Sequence, residues 1–325
     1  MRMRPVLCLV ALLLVATQLA VLPSAAAEES GKPLRLIVPG AAGSPPDALA
    51  RILAEPLASL GQQVVVDNRP GGIGTLAMGA LAKAAPDGRT LALMGLPQLV
   101  APGLLREMPY DTLRDLAPVT QLVWTSNVLV VRPDSPWRTL ADVVSLGKQR
   151  PDALSCATAG TGTPSHLALE LLRQRAGVRI VHVPFKGIPA GLTALMGGQV
   201  DIAFSGVATA LPLVKAGKLR ALASAGAQRL PALPDLPTIA EQGLQGYRLN
   251  EWYGLAAPSG TPPHVIARLA RELARIVAEP DVRARLENLG LYPVDQPGPD
   301  AFAATLRVEL PRWTQFVRDS GMRVE

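Results

Sequence analysis

Two glycine-rich stretches, each placed where a helix begins, suit the binding of an anion. The first, Gly40–Asp47 (GAAGSPPD), follows an apolar run typical of a buried strand, and the second, Ala159–His166 (AGTGTPSH), follows a similar run. A strand, a small-residue loop and a helix N-terminus together present unpaired backbone N–H groups and the positive end of the helix dipole. Residues without bulky side chains let a ligand approach the backbone closely. The sequence therefore predicts two anion-binding loops that face one another.

These loops supply most of the candidate ligand-binding residues. Backbone N–H groups and nearby hydroxyls could hold a carboxylate there without a formal countercharge. Asp47 is either the N-cap of the following helix or a cleft-facing group that repels an acid and accepts an ammonium or hydroxyl. His166 is either a further donor or a plain helix-surface or interface histidine. The predicted ligand-binding residues, including two at the ends of further strands, are Gly43, Ser44, Asp47, Gly95, Ala159, Gly160, Thr161, Gly162, Thr163, Ser165, His166 and Ser205.

Catalytic chemistry finds no support in the residue pattern. The three histidines, His166, His182 and His264, are far apart in sequence and fit no metal-ligand spacing. Ser165 precedes His166 directly, so on a helix their side chains diverge by about 100 degrees and do not pair as nucleophile and base. Cys156 lies in a predicted strand and is interpreted as a core residue. We therefore expect no catalytic residue, no metal ligand and no enzyme activity.

A second glycine pattern, Gly72-x-Gly74-x-x-Ala77, imitates a dinucleotide-binding fingerprint. In that fingerprint an acidic residue ends a following strand about 20 residues further on. Here Asp87 belongs instead to a Pro-Asp-Gly turn that starts a strand. We therefore expect no cofactor.

The N-terminal segment is typical of an exported protein. Arg2 and Arg4 precede an apolar run, Val6–Leu22, and Ala25-x-Ala27 forms a cleavage pattern before Glu28. Residues 1–27 are thus predicted to be a cleavable signal peptide, which places the protein in the periplasm, with an uncleaved membrane anchor as the alternative. Cleavage would leave Cys156 as the only cysteine and so no intramolecular disulfide.

The charge distribution argues against nucleic acid as a partner. The formal net charge is +6, but lysines and arginines are scattered, and aromatic residues make up 4% of the chain. Nucleic-acid binding requires a clustered basic face with stacking aromatics. A mild positive excess is better suited to attracting small anions.

The alternation of strand and helix patterns predicts two α/β lobes with a ligand cleft between them. A βαβαβ order up to Met94 calls for a parallel sheet covered by helices, and the same order starts again after Pro133–Pro136. We predict a first lobe of residues 28–131 and 226–325 and a second lobe of residues 132–225. Residues 226–237 are Pro-rich and are predicted to be a linker over the surface.

With these residues in place, the chain resembles the substrate-binding receptors of tripartite tricarboxylate transporters, the Bug-type extracytoplasmic solute receptors. The similarity covers essentially the whole mature chain. Its motifs are RLIVP at Arg35, VVVDNRPG at Val64, AAPDG at Ala84, MPYDTLRDLAPV at Met108, NVLVVRP at Asn127, ATAGTGTPSHLALELL at Ala157, VHVPFKG at Val181, ALMGGQVDIAF at Ala194, AGKLRALA at Ala216, LPDLPTIAEQG at Leu233 and WYGLAAPSGTP at Trp252.

The resemblance implies a type II periplasmic binding protein fold: two lobes, each a helix-covered, mostly parallel sheet, closing on a small organic carboxylate that is handed to a membrane permease. Two alternatives remain open, namely a receptor that presents its ligand to a membrane sensor and an exported hydrolase using Ser165 or His166. The family usually has an aromatic residue at the position of Gly40, glycine at Ser44, threonine or serine at Pro46, and often an acidic residue at Ser205. These departures bear on the size and identity of the ligand.

Overall fold

The computed structural model describes residues 33–59 and 63–322, and it shows two α/β lobes, each built on one sheet. The predicted signal peptide, residues 1–27, lies outside this part of the chain, so its cleavage and the alternative of an anchor stay predictions. Within the described ranges, none of the helices is both long and apolar enough to cross a bilayer.

The first lobe contains a six-stranded sheet in the order β11-β4-β10-β3-β1-β2. Strands β2, β1 and β3 run parallel, and β10 returns antiparallel between β3 and β4, so the sheet is mixed. Leu36, Ile37 and Val38 are completely buried because helices cover both faces of this sheet. The strands are β1 (Leu34–Val38), β2 (Val64–Asn68), β3 (Thr90–Gly95), β4 (Leu116–Thr125), β10 (Glu251–Pro258) and β11 (Tyr292–Pro293).

Helix α8 (Pro263–Ala278) of this lobe buries one apolar stripe. In α8 the buried residues Ile266, Leu269, Leu273 and Ile276 recur every three or four positions, which puts them on one face opposite the arginines, as the sequence predicted. The helices are α1 (Pro45–Ser59), α2 (Thr75–Ala82), α3 (Leu96–Leu104), α8 (Pro263–Ala278), α9 (Pro280–Asn288) and α10 (Pro299–Ser320), and a 3-10 turn spans Gly72–Gly74.

The second lobe contains a five-stranded sheet in the order β7-β6-β8-β5-β9. Strands β7, β6 and β8 run parallel, whereas β5 is antiparallel to both of its neighbours. Its strands are β5 (Asn127–Val131), β6 (Ser155–Thr158), β7 (Val181–Pro184), β8 (Ile202–Gly206) and β9 (Arg220–Ser224), and its helices are α4 (Leu140–Gln149), α5 (Pro164–Ala176), α6 (Ile188–Met196) and α7 (Val207–Lys215).

The chain enters the second lobe earlier than the predicted boundary. Asn127–Val131 was assigned to the first lobe, but it pairs with β8 and β9 and is buried along its whole length in the second sheet. Only Ser126 separates it from β4 of the first sheet. The sequence prediction is wrong here because two adjacent apolar strands do not reveal which sheet each joins, and Pro133–Pro136 is a turn within one lobe.

The predicted surface linker after β9 is also wrong in part. Within the predicted linker, residues 226–237, Leu230 is completely buried, and Ile239, Tyr247 and Leu249, which follow the linker, are essentially fully buried as well. Ser224 N donates to Pro237 O at 2.9 Å, and Leu249 N donates to Ala225 O at 2.9 Å, so the stretch extends the edge of the second sheet. Its proline content prevents regular structure without preventing burial.

Helix α3 was not predicted from the sequence. Pro97 falls in its first turn, and Pro102 and Gly103 lie near its end, so its composition resembles a loop. It packs against the long C-terminal helix α10, and tertiary contact stabilises a helix that local propensity does not favour.

Gly254 in the middle of β10 offers a test of this packing. A Cβ there would lie 2.5 Å from Phe302 Cζ and 2.9 Å from Thr120 O. We expect Gly254→Ala to lower the free energy of unfolding by about 1–3 kcal/mol, measured by urea denaturation, because the added methyl group overpacks the core. In the control Gly79→Ala, on α2, the nearest atom would be Pro109 Cγ at 3.6 Å, and stability should hold or rise. A Gly254→Ala protein as stable as wild type would contradict the described contacts.

Candidate functional site

The carboxylate of Asp47 closes the first loop on itself. Asp47 is 2% exposed, and its Oδ2 accepts hydrogen bonds from Gly43 N at 2.8 Å and Arg51 Nε at 2.9 Å. Its Oδ1 accepts from Asn68 Nδ2 at 2.9 Å. Helix α1 begins at Pro45, so the expectation that Asp47 is its N-cap is wrong; the residue lies in the first turn. Both oxygens of its carboxylate bind groups of the protein itself.

The Arg51 hydrogen bond, together with those from Gly43 and Asn68, outweighs burial and lowers the pKa of Asp47 to about 2. Asp47 is therefore ionised at neutral pH. Asn68, which the sequence analysis did not identify, also donates to Gly40 O at 3.0 Å and so joins the end of β2 to the loop after β1.

Fewer backbone donors are free in the first loop than the sequence suggested. Gly43 N–H is bound to Asp47, Ser44 N–H donates to Ala41 O at 3.1 Å, and Pro45 and Pro46 have no N–H. Among the described residues, the N–H of Asp47 makes no hydrogen bond, and neither do those of Ala41 and Ala42. With the N–H of Gly40, which also has no partner in the described residues, these groups are the remaining main-chain donors of this loop.

The hydroxyl of Ser44 occupies the space beside Gly40. A Cβ on Gly40 would lie 2.5 Å from Ser44 Oγ and 3.0 Å from Pro46 Cγ. Ser44 Oγ is itself buried and has no hydrogen-bond partner in the described part of the chain. The three residues that depart from the family pattern in this loop are thus sterically linked, because a side chain at residue 40 requires a smaller residue at 44.

Gln98 fixes the loop after β3, where Gly95 was predicted to bind ligand. Gly95 N donates to Gln98 Oε1 at 2.6 Å, and Gln98 Nε2 donates to Ile73 O at 3.1 Å. Ile73 has φ 56°, a left-handed conformation that is strained for a β-branched residue. Gln98 was missed in the sequence, although a glutamine three residues after a helix-capping position is a recognisable signal.

The second loop is held by the side chains that were expected to bind ligand. Ala159 N donates to Ser165 Oγ at 2.9 Å, and Gly162 N donates to His166 Nδ1 at 3.2 Å. Thr163 Oγ1 donates to Gly160 O at 2.7 Å. The role of Ser165, Thr163 and His166 visible here is therefore to shape the loop.

His166 is neither a surface residue nor a free donor. Because its Nδ1 accepts from Gly162, its proton resides on Nε2, which lies 3.3 Å from Glu170 Oε1. Its ring stacks on that of His182 at a centroid distance of 3.9 Å. Burial, followed by the positive charge of Arg173, lowers the pKa of His182 to about 4. Burial alone would raise the pKa of Glu170, but the His166 hydrogen bond and Arg173 hold it below its usual range.

The two lobes meet at Gly162. A Cβ on this residue, which has φ 76°, would lie 2.8 Å from Leu104 Cδ1 and 3.2 Å from Ile73 Cδ1. The second loop therefore contacts the 3-10 turn and the end of α3 in the first lobe. The sequence predicted that the two loops face one another; the first-lobe neighbours of Gly162 are Ile73 and Leu104, which belong to other segments than the first loop.

The remaining predicted residues differ in how available they are. Thr161 is partly exposed, and in the described chain neither its N–H nor its hydroxyl has a partner. The N–H groups of Ser165 and His166 in the first turn of α5 are likewise unpaired there. Ser205 is completely buried, and its hydroxyl donates to Gly206 O at 3.1 Å. Gly160 N–H is bound to Thr158 Oγ1 at 3.2 Å.

Nothing in the described site is arranged for catalysis or metal binding. The polar contacts of Ser165 Oγ are Ala159 N and Thr163 Oγ1, and it has none to a histidine. No group of three or more His, Cys, Asp or Glu side chains in residues 33–59 and 63–322 could hold a metal ion. Cys156 lies in the core, as expected, and burial raises the pKa of its thiol to about 12.

Two α/β lobes joined by two chain crossings are the architecture of periplasmic binding proteins. Solved structures that share this fold include the following three. The periplasmic binding protein BugD is 32% identical, has a TM-score of 0.78, and covers 90% of this chain and 99% of its own. Rpa4515 of Rhodopseudomonas palustris, solved with adipate, is 32% identical, with a TM-score of 0.81 and coverage of 91% and 100%. MatC of the same organism, solved with malate, is 35% identical, with a TM-score of 0.76 and coverage of 88% and 98%.

The chain belongs to the tripartite tricarboxylate transporter family of receptors, whose family model matches residues 49–322. This is a family of periplasmic solute-binding receptors and not of enzymes. The family and fold expected from the sequence motifs are thereby confirmed, and the alternative of an exported hydrolase is wrong.

Replacement of Asp47 tests its function within the first loop. We expect Asp47→Asn to lower the free energy of unfolding by about 1–3 kcal/mol. The NH₂ group of the asparagine would face a hydrogen-bond donor that, in the wild-type protein, binds a carboxylate oxygen of Asp47. Since the folded-state pKa is depressed, this stabilisation is present above about pH 4 and is lost as the pH falls through about 2. Urea unfolding of both proteins between pH 2 and 7 measures the difference.

The matched control is Asp300→Asn, an exposed aspartate in the first turn of α10. This change should alter stability by less than about 0.5 kcal/mol. If both variants lost the same amount of stability, the effect of Asp47→Asn would come from the position of Asp47 in the first turn of a helix and not from its three hydrogen bonds.

Proposed function

We propose that this protein captures a small organic carboxylate between its two lobes, in the periplasm after removal of residues 1–27, and delivers it to the membrane permease of a tripartite tricarboxylate-type transporter. The observation that carries the proposal is the set of unpaired donors at two helix N-termini, one in each lobe. Permease delivery is supported by membership of a transporter receptor family.

Main-chain donors supply the recognition of the carboxylate. The N–H groups of Ser165, His166 and Thr161 lie at the start of α5, where the helix dipole is positive, and the N–H of Asp47 lies at the start of α1. The nearest arginine of the first loop, Arg51, is bound to Asp47. A carboxylate bound by neutral N–H groups needs no basic side chain.

Apolar side chains beside these donors favour a ligand with an aliphatic body. Ile73 and Leu104 lie directly against Gly162. Hydroxyl groups on a ligand would lose hydrogen bonds to water at such a wall. The two similar proteins solved with adipate and malate support the carboxylate class, and we expect adipate, which has no hydroxyl, to bind this chain more tightly than malate.

Closure around the ligand follows from the arrangement of the loops. A ligand stabilises the closed form only through contacts that exist when both lobes touch it. The chain crosses between lobes at Ser126 and again between β9 and β10, and rotation about these two crossings would change the gap at Gly162. The free donors at α1 and α5 then bind one ligand together.

A thermal-shift titration with adipate tests ligand capture. At about 100 times its dissociation constant, adipate should add roughly 2.7 kcal/mol to the stability of the wild-type protein. Gly162→Ala should abolish this shift, because its Cβ would lie 2.8 Å from Leu104 Cδ1 and force the second loop away. Malate, a hydroxylated dianion, and citrate, a hydroxylated trianion, serve as competitors.

The matched control is Gly177→Ala at the C-terminal end of α5. Gly177 has φ 63°, so alanine is strained there as at Gly162, but nothing lies within 4 Å of the added Cβ. This variant should lose a similar amount of stability and keep the adipate shift. Loss of the shift in both variants, or its persistence in Gly162→Ala, would count against the second loop as the binding element.

Export is tested by mass spectrometry of the protein purified from the periplasm. The mature chain should begin at Glu28, because Ala25 and Ala27 fit the small-residue requirement for cleavage. A protein that retains Met1 and sediments with membranes would instead support the anchor.

A further inference from the structure

Glu251 occupies the point where the chain returns from the second lobe to the first. It is the first residue of β10 and is 8% exposed. Its Oε2 accepts a hydrogen bond of 2.7 Å from Nδ2 of Asn127, the first residue of β5. The bond therefore joins the first sheet to the second beside both chain crossings.

No positively charged side chain of the described residues lines the groove beside this buried carboxylate. Glu251 lines this groove of about 330 Å³ with the neutral side chains of Gln121, Gln228 and Asn250 and with Asp295. Its charge also acts on Tyr253, two residues further along β10, and helps to raise the pKa of that phenol. The groups facing Glu251 are thus neutral or acidic.

Two other buried carboxylates of the described chain, those of Asp47 and Glu170, have a cation beside them. Asp47 is bound by Arg51, and Glu170 is bound by Arg173. Burial without such a partner raises the pKa of Glu251 to about 7, although the Asn127 hydrogen bond opposes the shift. Glu251 exchanges its proton near neutral pH only as long as it stays buried.

We propose that Glu251 and Asn127 form a proton-dependent latch between the lobes: the protonated carboxyl stabilises the approach of the lobes described above, and its ionisation favours their separation. The inference rests on the lobe motion of the proposed function. It adds that this motion depends on whether Glu251 is protonated. Separation of the lobes would bring water to Glu251. A hydrated carboxylate has a lower free energy than an ionised carboxylate that stays buried without a cation.

The sign of the pH dependence follows from the direction of the shift. Glu251 has a raised pKa while buried and returns towards its ordinary value of 4.5 when hydrated. The latch is therefore fully effective below about pH 4.5 and is lost as the pH rises through about 7. Between pH 6 and pH 8 the ratio of near to separated lobes should fall about tenfold.

Distance measurements between spin labels on the two lobes test the latch. Cysteines replace Leu76 on α2 and Lys186 after β7, which are exposed, while the native Cys156 is completely buried. In the labelled protein with Glu251 intact and no ligand added, the fraction of molecules with a short distance between the two labels should fall as the pH rises from 6 to 8. In Glu251→Gln, which is neutral and still accepts from Asn127, the population should stay high at every pH.

The matched control is Glu309→Gln. Glu309 is also 8% exposed and also accepts from one neutral N–H, Trp252 Nε1 at 3.2 Å, but both partners belong to the first lobe. This variant should keep the wild-type pH response. Circular dichroism of each variant confirms folding before the distances are compared.

The same labelled proteins separate the latch from ligand capture when adipate is added. A distance that shortens with adipate but ignores pH would overturn the latch and leave solute binding intact. A pH response that is identical in wild type and Glu251→Gln would also overturn it. A distance that responds to pH but not to adipate would support the latch and count against adipate as a ligand.

Discussion

The hydrogen bonds by which side chains hold the two glycine-bearing loops are the interaction on which the candidate site depends. In the first loop Asp47 binds Gly43 and Asn68, and in the second loop His166 accepts from Gly162. In the two loops the protein itself satisfies six backbone donors, those of Gly43, Ser44, Ala159, Gly160, Gly162 and Thr163. Each loop therefore has a defined shape before any ligand arrives, which reduces the ordering cost of binding. In the proposed function, the N–H groups without a partner are the ones that bind the anion.

Contacts between the lobes set the second constraint. Gly162 lies against Ile73 and Leu104 on one side, and on the other Ala232 N donates to Tyr292 OH at 3.3 Å. The buried Asn127–Glu251 bond lies at the chain crossings. Because these contacts join specific atoms, the approach of the lobes is a defined arrangement and not a general collapse.

Much of the candidate site could be identified from the sequence, but not the function of each side chain. Strand, small-residue loop and helix start are local patterns, so Gly40–Asp47 and Ala159–His166 were recognisable as loops at helix N-termini. Asp47, Ser165 and His166 were expected to face a ligand, yet their partners lie within or beside their own loops. Ile73, Gln98 and Leu104 were missed, because they come from other segments and their relevance arises only where those segments meet.

The sequence alone determined the strands and helices with strong apolar periodicity, the family motifs and the two-lobed α/β class, because these depend on neighbours along the chain or on residue order. The tertiary structure decided that β5 belongs to the second sheet, that Leu230 in the proline-rich stretch is buried, and that α3 is a helix. It also decided that no cation of the described residues lines the groove beside Glu251. Sheet partners, burial and neighbouring charges depend on contacts between residues that are far apart in the sequence. These contacts cannot be predicted from the residues of one short segment.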